Sequence, residues 1–318
     1  MEIGIVGAGV AGIGVAYELR ESSAAVTVLE KGQVVGGRAA TRRKNGCIYD
    51  YGANYITPDE DLERLVRERA SARPIGIEAP VWTFDADGVV TPGEDRDRPA
   101  LTYADGIARK GERWRVESED LVETFDALVL TPPAPQTAAL LTDTDWDDPL
   151  RDRLVGGIET VSYRTILSIV LHYPFEIDRP YYALVNTDKD HEIGWCSREE
   201  CKPGHVPDGQ ALLVVQMAPE WSLERYGEPD ERIADAAARL AADLLDEPRI
   251  ATPDWCDLGR FRHALPDGAP EADVLSTAAD RSLHFAGDWV TGEGRVGAAF
   301  ESGRDLGRRL SQSVDEPR

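Results

Sequence analysis

The sequence is poor in the features that mark membrane, secreted or metal-bound proteins. Its longest aliphatic stretch, Thr165 to Leu171, falls far short of the roughly 18 apolar residues of a membrane span. Four cysteines in 318 residues (Cys47, Cys196, Cys201 and Cys256) are too few and scattered for a disulfide framework and suit a reducing compartment. No second Cys or His pair at ligand spacing accompanies Cys196 and Cys201, which argues against zinc. His172, His191, His205, His263 and His284 stand isolated, and no Ser-His-Asp, paired-carboxylate or metal motif competes for the chemistry. Lysine is scarce, Arg greatly outnumbering it, and there is neither an internal repeat nor a low-complexity tract. An apolar strand beginning at residue 2 leaves no room for a basic and apolar leader, so the expected location is the cytoplasm.

Acid, by contrast, is abundant. Asp and Glu number 58 against 35 Lys and Arg, a formal charge of −23 with a sequence pI near 4.6. Such a field repels nucleic acid and anionic membrane, and the expected partner is a small-molecule substrate. The acid is dispersed, in Asp59-Glu60-Asp61, Asp143 to Asp148 and Glu228 to Glu231, a pattern that resembles adaptation to high salt.

The most informative stretch is the first. Glu2 to Val6 reads as an apolar strand that runs into Gly7-Ala8-Gly9-Val10-Ala11-Gly12. In this spacing Gly7 allows a tight turn, Gly9 leaves room for a pyrophosphate, and Gly12 lets the next helix pack closely on its strand. That helix, with an apolar set of Val10, Ile13, Gly14, Tyr17 and Leu19, presents its N-terminus to the phosphates. A second strand, Ala25 to Leu29, ends at Glu30 and Lys31, about 20 residues on, where a carboxylate can hold ribose hydroxyls.

Further along, Gly36-Gly37-Arg38-Ala39 forms a backbone-exposing loop, and Asp50 to Thr57 reads as a short extended segment. Asp59 caps a helix from Leu62 to Ala70, Val81 to Val90 forms a hairpin, and strands follow at Trp114 to Ser118 and Ala127 to Leu130. Thr131-Pro132-Pro133 ends the second of these, and Pro-rich sequence and acid at Asp143 to Pro149 suggest a crossing into another unit. Residues 160–171, Tyr181 to Asn186 and Ala211 to Met217 read as strands of a mixed sheet, and Pro229 begins a helix. Ser282 to Phe285 delivers Gly287-Asp288 at its tip, and Val296-Gly297-Ala298 opens a final helix. Large aromatics, Trp82, Tyr163, Trp195, Trp221 and Trp289, are candidates to line a pocket, although such residues are more often core.

Together these pieces point to FAD more than NAD, because an NAD unit needs only the first motif. The sequence resembles the flavin amine oxidase superfamily, and most closely its renalase-like branch of prokaryotic FAD-dependent oxidoreductases. The glycine motif joined to Gly36-Gly37-Arg38, Asp50 to Thr57, Leu128 to Gln136, and Phe285 to Gly303 carry the resemblance, with a weaker match at Lys202-Pro203-Gly204-His205. It implies a cofactor-binding set of Gly7, Gly9, Val10, Ala11, Gly12, Glu30, Lys31, Gly36, Gly37, Arg38, Ala39, Tyr51, Gly52, Ala53, Asn54, Thr131, Gly287, Asp288, Val296, Gly297 and Ala298. Tyr51 to Asn54 would pass beside the isoalloxazine and Asp288 would bond the ribityl or phosphate region. The helix at Gly297 would aim its positive end at flavin N1 and O2. Arg38 would bind phosphate, the plainer alternative being a surface salt bridge; for Asp288 it is a helix cap.

Two departures from the family pattern stand out: a stretch from Pro92 to Trp114 shorter than in relatives, where adenine contacts are expected, and Asn54 where relatives carry Gln. No Cys lies near Gly287 to Gly303, so the FAD is expected to be non-covalent. The implied fold is α/β: a Rossmann-type (GR2-like) FAD-binding domain (1–60, 100–145 and 255–318) with an inserted substrate domain on a mixed β-sheet (61–99 and 146–254). The implied function is FAD-dependent oxidation with O2 as acceptor, acting on dihydronicotinamide isomers; a primary or secondary amine as substrate, or a non-catalytic flavin-binding protein, are the alternatives. If the acidic surface is an adaptation to salt, the thermal midpoint rises by several degrees from dilute buffer to molar KCl, because screening relieves self-repulsion; an unchanged midpoint refutes it.

Overall fold

The computed structural model describes residues 1–32, 34–57, 60–69, 75–93, 101–102, 116–118, 121–144, 146 and 149–315. The chain divides into two compact units, Met1–Arg38 with Gly106–Arg164 and His263–Arg318, and Ala39–Asp105 with Thr165–Arg262.

The first unit is built on four parallel strands in the order Leu283–Phe285, Ala127–Leu130, Glu2–Val6, Ala25–Leu29. Strand residues alternate between two buried clusters, as the two-residue period requires. Ile3, Ile5, Ala127 and Val129 face Val15 and Leu19 of the first helix (Val10–Leu19) and Leu306 and Leu310 of the last (Val296–Asp315). Leu128, Leu130, Leu283 and Phe285 face the opposite layer, with Ala138 and Leu141 of helix Ala134–Thr142, Leu154 and Ile158 of helix Pro149–Ile158, and Trp289. Helices on both faces of a parallel sheet give the doubly wound arrangement.

The first helix buries Ala11, Gly12, Gly14, Val15 and Leu19, while Ile13 is exposed. The helical face expected from Ile13 and Tyr17 is therefore corrected by about one position. The reason is a second neighbour. A Cβ on Gly14 would meet the Phe300 carbonyl oxygen at 2.5 Å, one on Gly303 would collide with the Ala11 carbonyl, and one on Gly307 would meet Val15 O at 2.8 Å. The two helices touch backbone to backbone, and small residues define the contact.

The second unit carries a mixed sheet ordered Trp255–Asp267, Ser162–Tyr173, Ala211–Met217, Ile193–Arg198, Ala183–Asn186, Val81–Phe84, Val90–Thr91. Its pairings are antiparallel where registered, except that Val81–Phe84 runs parallel to Ala183–Asn186. Helix Asp230–Leu244 covers one face, packing Ile233, Ala237, Ala238 and Ala241 on Ile169, Leu171, Leu213 and Val215. On the other face Cys47 and Tyr49 of the short hairpin Arg42–Lys44/Cys47–Tyr49 pack on Val170, Leu212 and Val214.

These contacts move the unit boundaries. Residues 39–60 were expected with the cofactor domain, but the hairpin's apolar side chains group them with the mixed sheet. Residues 146–164 were expected beyond a crossing, yet Leu154 and Ile158 are fully buried in the first unit's core. Residues 255–262 join the second unit as part of a thirteen-residue strand. The expected helix after Asp59 is present at Glu60–Arg69, while Asp59 lies outside the described residues. So do Trp114, Arg115 and most of the shortened stretch between Pro92 and Trp114, and with it the expected adenine contact. Among the described residues no helix is long and apolar enough to cross a membrane.

The helix contact is testable. Gly303→Val forces a branched side chain into the Ala11 carbonyl and is expected to cost at least about 2 kcal/mol, read as a lowered urea midpoint; an unaltered midpoint would show that the helices can move apart freely.

Candidate functional site

In the first unit, the strand Glu2–Val6 ends in a turn that only glycine permits. Gly7 has φ +100°, and a Cβ there would stand 2.5 Å from Thr131 Oγ1. Its N–H donates to Leu29 O at 2.7 Å. A Cβ on Gly12 would collide with the Gly7 carbonyl, whereas at Gly9 nothing lies within 4 Å. Gly9 is thus the one member of the triplet whose missing side chain leaves open space. Behind it, the helix starts with Ile13 N–H bonding Gly9 O at 3.0 Å, so the N–H groups of its first turn, including Val10, Ala11 and Gly12, have no intrahelical acceptor.

The second glycine motif lies against the first. Gly36 N–H donates to Ala8 O at 2.8 Å and Gly36 bridges Gly9 in parallel register. Gly37, at φ +57°, would place a Cβ 3.4 Å from Gly9 Cα. Glu30 sits at the same corner: Oε2 accepts from Ala8 N–H at 2.7 Å and Oε1 from Gly32 N–H at 2.8 Å. A carboxylate offers about four lone-pair sites, so this one can buttress the loop and still accept ribose hydroxyls. Lys31 is exposed beside it. The Thr131 hydroxyl lies 2.8 Å from Val6 O and 3.1 Å from Gly7 O, which makes it a brace for the turn.

The third motif is tied in by charge. Arg38 forms a bidentate pair with Asp288, Nη1 to Oδ2 and Nη2 to Oδ1 both at 2.8 Å, and Nη1 also donates to Ala264 O at 2.7 Å. The Asp288 side chain is almost wholly buried and that of Arg38 about one-third exposed. It is a salt bridge, but not the surface one named above as the plainer alternative, since its carboxylate is buried and belongs to the other predicted cofactor ligand. Asp288 opens the short helix Asp288–Thr291 without making a side-chain cap. Gly287, at φ +155°, donates its N–H to Ser302 Oγ at 3.1 Å, and a Cβ there would meet the Trp289 ring at 2.9 Å. Nearby, Tyr163 OH accepts from Ala134 N–H at 3.0 Å, and burial pushes the phenol up to about 12. The final helix begins at Val296, Gly297 and Ala298, all half-buried, and its first N–H groups lack intrahelical acceptors.

The remaining predicted residues, Ala39 and Tyr51 to Asn54, fall in the second unit. Tyr51 packs on Phe261 with centroids 5.4 Å apart, under the Arg42 guanidinium. Gly52 O accepts from Gln216 Nε2 at 2.6 Å, and Asn54 O accepts from Lys202 Nζ at 2.8 Å. Lys202 is fully buried and also bonds Asp50 Oδ2 at 2.7 Å and Glu199 Oε2 at 2.9 Å. Burial works against its charge, but Glu199 and Asp50 outweigh that and raise its pKa. Asp50, Glu199 and His205 are close enough together for a metal site; the cation between Asp50 and Glu199 is the lysine ammonium. Removing one partner of so buried a cluster costs about 3–5 kcal/mol.

Sequence reasoning missed Asp50, Glu199 and Lys202 as a group, for which the Lys202-Pro203-Gly204-His205 match was the available signal. Of the candidate aromatics, Trp221 and Trp289 are core, Trp82 packs on Tyr181, and Trp195 clusters with Tyr55 and Tyr182.

The parallel sheet, the glycine cradle and the acid at the second strand's end define a dinucleotide-binding protein of the Rossmann class. Residues 5–69 match the NAD(P)-binding Rossmann-like domain, and residues 100–310 match the flavin containing amine oxidoreductases. The chain belongs to the flavin containing amine oxidoreductase family. Among curated proteins it is 32% identical to putrescine oxidase of Kocuria rosea over 130 residues, 40% of this chain and 25% of that one. It is 43% identical to protoporphyrinogen oxidase 2 of Arabidopsis thaliana over 58 residues, 18% and 11% of the two chains. The matched stretches thus span a quarter or less of these relatives. Solved structures share the fold: a protein described as a protoporphyrinogen oxidase from Exiguobacterium sp. 255-15 (TM-score 0.74, 13% identity, 98% and 99% covered) and a reduced UDP-galactopyranose mutase (0.73, 12%, 99% and 96%). The expected fold class agrees with these likenesses, and the described residues fit the family's flavin, since the cradle at Gly9 is open and two helix N-termini carry unused donors.

Gly9→Ala separates binding from folding. With open space around Cβ and φ −73°, the substitution is expected to change stability by less than about 1 kcal/mol while weakening FAD binding at least tenfold, checked by flavin fluorescence titration; unchanged affinity would take the pyrophosphate away from this turn.

Proposed function

We propose that the protein is an FAD-dependent oxidase whose substrates are dihydronicotinamide isomers, as in the renalase-like branch. The observation that carries the reading is the convergence of three glycine motifs in one unit: Gly36 bonded to Ala8, and Arg38 paired with Asp288 across 250 residues. Bound non-covalently, FAD supplies the hydride acceptor, and O2 takes up the two electrons to give peroxide. The chain supplies position and field. The first helix's N-terminus and the Gly36-Gly37 backbone favour the pyrophosphate, and Glu30 retains capacity for ribose hydroxyls. The N-terminus of Val296–Asp315 supplies positive potential for the ring's acceptor edge, and the Arg38–Asp288 pair holds the Gly287 turn to the Gly36-Gly37 loop.

The substrate reading draws on the residues that resemble the renalase-like branch, Asp50 to Thr57 and Lys202 to His205. It also draws on charge: the buried carboxylates Asp50 and Glu199, which lie beside Tyr182, are both engaged by Lys202 and are not free to hold the distal ammonium of a diamine. A second reading, oxidation of an amine, is favoured by the stretch 32% identical to putrescine oxidase. Location in the cytoplasm and O2 as acceptor belong to the same proposal.

Anaerobic mixing of the FAD-loaded protein with dihydronicotinamide isomers, and separately with an amine panel, decides between them. Rapid bleaching of the flavin band by the isomers and none by amines is expected; bleaching by amines alone transfers the assignment to the second reading, and bleaching by neither points to a flavin-binding protein without turnover.

A further inference from the structure

Tyr163 stands where three parts of the first unit meet. Its hydroxyl oxygen accepts the Ala134 N–H at 3.0 Å, 29 residues away in sequence. Its ring meets His263 edge-on, with centroids 5.4 Å apart and planes at 66°. The residue after His263 supplies the carbonyl that takes Arg38 Nη1 at 2.7 Å, and Asp288 and Arg38 are both close enough to act on the phenol through their charges. All of these residues belong to the unit that carries the glycine cradle.

The Ala134 bond closes a helix end that has almost nothing else to offer. Helix Ala134–Thr142 starts behind Pro133, whose side chain makes no cap. Pro135 has no N–H, and the N–H groups of Gln136 and Thr137 both turn back to Pro133 O, at 2.9 and 3.0 Å. Among the described residues, the Ala134 N–H is thus the one first-turn donor that the helix backbone leaves over, and Tyr163 takes it. A phenol that accepts one bond still has a proton to give. That proton meets no acceptor among the described residues. Burial, helped by the charge of Asp288, pushes the phenol up to about 12, so the proton stays on the oxygen at any working pH. Accepting from a helix N-terminus also polarises the O–H and strengthens the bond it can donate.

The turn in front of the helix fixes where this donor lies. Thr131 to Pro133 leave the carboxyl end of strand Ala127–Leu130, and Thr131 Oγ1 lies 2.8 Å from Val6 O and 3.1 Å from Gly7 O, against the first turn of the glycine motif. Thr137 Oγ1 pins the same turn from behind, bonding Pro132 O at 2.9 Å. In a doubly wound sheet a dinucleotide lies beyond the carboxyl ends of the strands, which is the side this turn occupies. The charged donor nearby is largely engaged, since three Arg38 N–H groups are spent on Asp288 and Ala264 O. A polarised hydroxyl that keeps its proton suits an anionic oxygen, and a pyrophosphate supplies such oxygens.

We propose that Tyr163 is a cofactor-binding residue, which accepts the Ala134 N–H and donates its own proton to a phosphate oxygen of the bound dinucleotide. This rests on the flavin reading given above, in which that dinucleotide is FAD.

The test compares wild type, Tyr163→Phe and Thr137→Val, each shown by circular dichroism to be folded, by FAD titration and by phosphorus NMR of the FAD-loaded protein at saturating cofactor. Tyr163→Phe keeps the ring and its His263 contact and removes only the hydroxyl. Thr137→Val loosens the same turn without touching that donor, and so reports what a displaced turn does by itself. Expected for Tyr163→Phe are FAD binding weaker by at least about tenfold, as the loss of a bond to a charged acceptor implies, and a shifted pyrophosphate resonance. Thr137→Val retains the wild-type resonances. A wild-type phosphorus spectrum in Tyr163→Phe overturns the inference whatever the affinity and leaves the flavin reading standing, as does Thr137→Val matching Tyr163→Phe in both measurements. A wild-type protein that takes up no FAD overturns both.

Discussion

One carbonyl oxygen constrains the whole first unit. The main-chain oxygen of Gly7 occupies the place where any side chain at residue 12 would begin, so the first strand can hand over to its helix only through glycine. That tightness turns the helix N-terminus, with its unsatisfied N–H groups, toward the end of the sheet. The same helix is then approached by the final helix at backbone distance, through Gly14, Gly303 and Gly307. Because the final helix carries the third glycine-rich motif at its start, two requirements for small residues, one at a turn and one between helices, become a single geometric condition on the cofactor cradle. Dispersion contacts at such short range are lost steeply with separation, and a single added methyl is enough to disturb them.

The second unit obeys a different constraint, electrostatic in kind. Its mixed sheet is an apolar structure, with Ile169, Leu171, Leu213 and Val215 on one face and Val170, Leu212 and Val214 on the other. Into this setting the chain brings Asp50, Glu199, His205 and Lys202, all buried. Desolvation would forbid Asp50, Glu199 or Lys202 as a charge alone, and the three are tolerated because the Lys202 ammonium bonds both carboxylates and the Asn54 carbonyl. Such a set is intolerant of single changes, which suits it to holding an irregular segment in one shape.

Much of the first unit was legible in the sequence. Strand, glycines, helix, second strand and acid arrive in an order fixed by local geometry, and Gly7, Gly9, Gly12 and Glu30 stand where that order puts them. Arg38 and Asp288 were both recognised, but not as partners, since 250 residues separate them and only folding brings guanidinium to carboxylate. The unit boundaries were misplaced for a related reason: Leu154, Ile158, Cys47 and Tyr49 carry no local sign of which core they enter. The strand Trp255–Asp267 escaped notice because its alternation is broken by Gly259 and charged residues, and a sheet supplies what its own sequence lacks.

By itself, then, the sequence determined the cofactor class and the doubly wound scaffold, because glycine spacing and hydrophobic period act over a few residues and need no distant partner. Tertiary structure alone decided which of the acids and bases are free and which are spent on one another. Charge pairing acts through space, so the Arg38–Asp288 pair and the Lys202–Asp50 bond exist only once the chain has folded, and no spacing along the sequence encodes them.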